Sequence, residues 1–124
     1  MMSRLDPPDV TFLEMGVRWG LVLLWAGGIF IYSGRSNPLG AVARLAHSGL
    51  IGRALHIGEY AGLAALLTWA LASRNDKERS SNRTLAYAFG LALAYALFDE
   101  LHQSFVPGRT CTLVDIGYDL VGIV

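Results

Sequence analysis

Cysteine, charge and a signal-like N-terminus are what this sequence has least of. One cysteine, Cys111, excludes an intrachain disulfide and a Cys-based zinc site, and it reads as a small apolar filler. Charged residues make up only 16% of the 124 positions, ten basic against ten acidic, which leaves no electrostatic footprint for nucleic acid. The opening residues carry Asp6, Asp9 and Glu14 around Pro7-Pro8 instead of the basic stretch that begins a secretory signal. No cleaved peptide is therefore expected, and the first apolar segment is expected to stay as an anchor. Apolar side chains are what the chain has in abundance. It is 53% hydrophobic with a mean hydropathy of +0.42, more than a soluble domain this small carries beneath its polar coat.

Four apolar stretches follow one another. The first runs from Trp19 to Gly34 between Arg18 and Arg35; the second, Ala54 to Ser73, is interrupted only by His56 and Glu59. The third runs from Thr84 to Phe98 and continues into Asp99-Glu100-Leu101-His102-Gln103, and the fourth begins near Thr110 and contains Asp115 and Asp119. A spanning helix needs about 20 mostly apolar residues. The first two qualify if the flanking arginines snorkel, and the third if its acidic end sits at the membrane boundary. The fold class that follows is all-α: one domain over residues 1–124, a transmembrane bundle of about four helices at about 15–34, 54–73, 84–103 and 112–124, the fourth short or truncated. A soluble all-helical domain is the alternative. Small residues four apart (Gly16 and Gly20, Gly58 and Gly62, then Ala86, Gly90 and Ala94) suggest close helix contacts, against plain abundance of Gly and Ala. Trp19, Tyr32, Trp69 and Tyr87 fall near the expected helix ends, where aromatic belts form.

Orientation follows from the basic residues. The side holding the N-terminus has Arg4, Arg18, Arg74, Lys77, Arg79 and Arg83; the other has Arg35, Arg44, Arg53 and Arg109. The positive-inside rule then places the N-terminus and the Arg74–Arg83 loop of this multi-pass chain in the cytoplasm. His47 and the Arg74–Arg83 loop read as solvated.

With alternating helices, three separate parts of the chain deliver polar groups to one membrane level. His56, Glu59 and Tyr60 share a face of the second helix, Gln103 follows Asp99 by four residues and Glu100 by three, and Asp115 precedes Asp119 by four. Arg109 sits in the loop between. A carboxylate in hydrocarbon costs a few kcal/mol even on lenient scales, so each acid must pair, meet water or hold a proton. The guanidinium of Arg109 is the natural partner. The binding candidates are therefore Glu59, Tyr60, Asp99, Glu100, Gln103, Arg109, Asp115 and Asp119. His-x-x-Glu and Asp-Glu-x-His also offer metal donors (His56, Glu59, Asp99, His102), and His56, Glu59 and Asp99 suit acid/base catalysis, without any strong metal or nucleophile motif. The plain alternative is an interfacial network that pins a loop. No cofactor is legible.

The stretches His56-Ile-Gly-Glu59-Tyr60, Asp99-Glu100-Leu-His102-Gln103-Ser-Phe-Val-Pro107-Gly108-Arg109, and Asp115 followed by Asp119 and Gly122 resemble the VanZ-like family of small bacterial membrane proteins. The resemblance implies a bundle of about four transmembrane helices and a link to low-level resistance to the glycopeptide teicoplanin, with no established reaction. The family pattern prefers Asn where this chain has Asp119, and its fourth helix runs on beyond the point reached at Val124. Three functions are compatible with these residues. One is an outward-facing pocket for an anionic head group or cell-wall precursor; the others are a membrane-embedded enzyme acting on a lipid-linked intermediate, and a structural subunit. A homo-oligomer would complete a short bundle.

Overall fold

In lipid a backbone has no water to bond to, so an apolar chain satisfies its own N–H and C=O groups by coiling into helices. The computed structural model describes residues 10–36, 50–72, 81–109 and 112–124. Among them it has four helices and no strand: α1 Val10–Ser33, α2 Leu50–Leu71, α3 Ser81–Ser104 and α4 Leu113–Ile123. Each of the first three begins three to five residues before the expected start. Residues 10–14, Glu14 among them, are thus added to α1, and Asn82 and Arg83 open α3, because a charged or polar flank can coil as readily as the apolar run it precedes. Three segments, Phe12–Ser33, Gly52–Leu71 and Asn82–Ser104, are long and apolar enough to cross a membrane. At 11 residues α4 is not. His47, Cys111 and most of the Arg74–Arg83 loop lie outside the described residues.

The helix α2 is the hub. It packs against α1, α3 and α4, while α1 and α4 do not meet. Tyr60, Leu63 and Leu67 of α2 face Val22 and Ile29 of α1, Ala88, Ala92 and Ala96 of α3, and Ile123 of α4. The alanines let α3 approach closely, as small residues do between membrane helices. Ala86, Gly90 and Ala94, the register singled out from the sequence, are exposed instead. The two sets are half a turn apart, and in a segment apolar all round only packing distinguishes them.

The outside of the bundle is apolar. Phe12, Leu24, Tyr87 and Phe105 are each more than 65% exposed, whereas Ser33, Asp99, Glu100, Gln103 and Asp119 are buried. That inversion suits hydrocarbon, where exposed apolar side chains cost nothing and polar ones must turn inward. At the end away from these polar groups, Arg18 donates from Nη1 to the carbonyls of Trp69 (3.0 Å) and Ala72 (3.1 Å), satisfying the end of α2, and lies over the Trp69 ring.

Candidate functional site

The last turn of α1, the first half of α2, the last turns of α3 and the whole of α4 meet at one end of the bundle, and each brings a polar residue. Asp99, 2% exposed, is the centre of one group. It accepts from Ser33 Oγ of α1 (2.5 Å), from Tyr60 OH of α2 (3.4 Å) and from Gln103 Nε2 one turn further along α3 (2.8 Å). A buried carboxylate with three donors has the hydrogen bonds that replace its hydration. Ser33 is the residue that the sequence alone does not reveal: a lone serine in a charge-free segment looks like another small side chain. The signal is its place in the last turn of α1, level with Asp99.

Pro107-Gly108-Arg109 then acquires a physical meaning. The Arg109 amide donates to the Val106 carbonyl (3.1 Å) across a four-residue turn, with Gly108 at φ +84°. That is a type II turn, in which proline pre-sets the second position and glycine alone takes the left-handed third one without strain. The reversal carries Arg109 back over the end of α3, where Nη1 donates to Gln103 Oε1 (3.2 Å) and Nε to the Arg35 carbonyl (3.3 Å). Gln103 is therefore the link between Asp99 and the guanidinium. Two of the five N–H groups of Arg109 are engaged among the described residues, and the side chain is half-buried.

A second group forms between α2, α3 and α4. Asp119, 1% exposed, accepts from or bonds to His56 Nδ1 at 2.8 Å through Oδ1, and its Oδ2 is buried with no hydrogen-bond partner among the described residues. Glu100 turns to this side, because one residue along a helix rotates the side chain by about 100° from Asp99. Gly122 sets the spacing: a Cβ there would stand 3.1 Å from the Ala61 nitrogen and closer still to the Ile57 carbonyl oxygen. Only glycine lets α4 lie on the α2 backbone, and that contact brings Asp119 to His56.

Glu59 belongs to neither group. It is half-buried, and its carbonyl accepts from the Trp25 indole (2.9 Å). With Leu24, Trp25, Ile29, Tyr32 and Leu66 it lines a largely apolar cleft of about 570 Å³ between α1 and α2. Glu59 still lies within electrostatic reach of His56, Asp99, Asp119 and Arg109.

Asp115 closes the start of α4. The Thr112 hydroxyl donates to its carboxylate (2.6 Å) and accepts from its amide (3.3 Å), a capping arrangement. His102 stacks on Phe30 of α1, ring centroids 4.1 Å apart, away from the other donors. Of the four residues read from the sequence as metal candidates, Glu59, Asp99 and His102 are thus in three different surroundings, and only His56 joins a three-donor group.

Comparison with curated proteins and with solved structures finds no match for this chain. A family model described as VanZ/LLP1 matches residues 21–124, a stretch that contains every polar residue of both groups. Three membrane-capable helices, a buried polar end and this match together place the chain in the VanZ/LLP1 family, as a multi-pass membrane protein.

Proposed function

We propose that this protein binds the head group of a lipid-anchored envelope molecule at its polar end, and that this binding underlies a contribution to glycopeptide (teicoplanin) resistance. The polar end faces outward from the bacterial cytoplasmic membrane, with the N-terminus in the cytoplasm, as the basic residues predict. The observation that carries the reading is the Asp99–Gln103–Arg109 relay. It holds a permanently charged guanidinium at the membrane boundary, with donors to spare for a phosphate or carboxylate. The α1/α2 cleft beside it, apolar along most of its length and bounded by Tyr32 and Glu59, suits a hydrocarbon tail.

The test is Arg109→Ala beside Arg109→Lys, expressed in a susceptible bacterium. The alanine variant is expected to lose protection against teicoplanin while its amount in the membrane stays at the wild-type level. Lysine keeps the charge but not the two-donor fork, so partial protection is expected. Full protection by both variants would falsify the proposal.

A second reading, an enzyme acting on a lipid-linked cell-wall intermediate, is favoured by the His56–Asp119 pair. A buried carboxylate bonded to an imidazole nitrogen is the arrangement that orients a histidine for proton transfer. Turnover of a lipid-linked precursor that disappears in His56→Gln would support it.

A further inference from the structure

Asp119 is buried to 1%, yet one of its two carboxylate oxygens meets no donor among the described residues. In hydrocarbon that is an expensive arrangement unless something occupies the position the oxygen addresses. A ring nitrogen of His56 and one carboxylate oxygen each of Glu100 and Asp119 lie within 4.8 Å of one another. Three helices contribute one ligand apiece: α2, α3 and α4. We infer that His56, Glu100 and Asp119 form a binding site for a divalent transition-metal ion, with zinc or manganese as the class of cation it takes.

Charge and donor type both favour this. Two carboxylates brought this close together in a low dielectric repel each other. A divalent cation compensates both, leaving the imidazole neutral as a ligand. One nitrogen and two oxygens suit zinc or manganese, whereas calcium and magnesium take shells of oxygen. The close seat of Gly122 on α2 fixes the depth at which Asp119 meets His56, so the ligands are held by helix packing and not by a loop. The site is separate from the Arg109 relay and stands whether or not Arg109 holds a head group.

The full chain, purified in detergent and stripped with a chelator, is titrated with zinc and with manganese against a chromophoric competitor, then dialysed and assayed for bound metal. Close to one equivalent per chain is expected. Asp119→Asn preserves size and an acceptor for His56 but removes the charge. It is expected to weaken zinc binding by roughly 100-fold or more, beyond what losing an outer hydrogen-bond partner does. Cobalt bound in place of zinc should give weak visible bands and none of the intense absorption that a thiolate produces. Failure of the wild-type chain to retain either metal overturns the inference by itself, whatever the variants do. Equal retention by wild type, Asp119→Asn and His56→Gln, each monodisperse and helical, overturns it as well, because the metal then sits elsewhere.

Discussion

Asp99 and Asp119 are equally enclosed, at 2% and 1% exposure, but they are not equally satisfied. Asp99 collects donors from three helices, and Gln103 extends its reach to Arg109. Asp119 has His56 on one oxygen and no hydrogen-bond partner on the other among the described residues. The first carboxylate is finished by the protein itself, and its contribution is to tie helices and position a cation. The second is unfinished, which is how a site that awaits an ion differs from one that holds a fold together. Burial alone would have ranked the two together; only the donors tell them apart.

The contrast breaks most sharply at Asp99. Hydrogen bonds between membrane helices are worth about 0.6 kcal/mol on average and about 1.7 at most. Two of these, from Ser33 and Tyr60, converge with a third bond from Gln103 within α3 on one carboxylate and make Asp99→Ala the most damaging change, about 2–4 kcal/mol, measured by denaturant unfolding in detergent micelles. Next is Gly122→Val, which must push α4 off the Ile57–Ala61 backbone; overpacking of this kind costs about 1–3 kcal/mol. The same displacement parts His56 from Asp119, so this variant should also lose metal, while Asp99→Ala keeps whatever metal its folded fraction binds. Smallest is Asp119→Ala in chelator-treated protein, about 1 kcal/mol or less, because the lost bond to His56 is offset by removing an unsatisfied buried oxygen. If Asp119→Ala destabilises as much as Asp99→Ala, the two carboxylates do the same work and the distinction fails.

Much of this was legible in the sequence itself. Alternation of helices suffices to bring His56, Asp99, Arg109 and Asp119 to one level, because each apolar run crosses and returns. Pairing within the level was not, since it depends on rotation about each helix axis. That rotation is what sends Asp99 toward α1 and Glu100 toward α4, and what buries Ala88, Ala92 and Ala96 instead of Ala86, Gly90 and Ala94. In segments apolar on every side there is no polar face to report it. Asp115 is a different case. Thr112-x-x-Asp115 is a helix-start pattern visible in the chain, and it accounts for a residue that the membrane setting had made look like part of a site. Ser33 carries no signal beyond its small size, and Gly122 only its place in the family pattern; the physical meaning of both comes from what lies opposite.

The seat of α4 on α2 has a bearing on how the protein is made. Synthesis delivers α1, α2 and α3 to the membrane before α4 exists, and three helices already complete the donors around Asp99. The ribosome-bound intermediate thus has one polar cluster closed and the other lacking its third wall, with His56 and Glu100 facing the slot that Gly122 later fills. Arrival of α4 shuts that slot. Assembly in this order closes the Asp99 cluster first and the metal-binding geometry second, so a chain stalled before α4 would keep the donors around Asp99 and lack the third ligand beside His56 and Glu100.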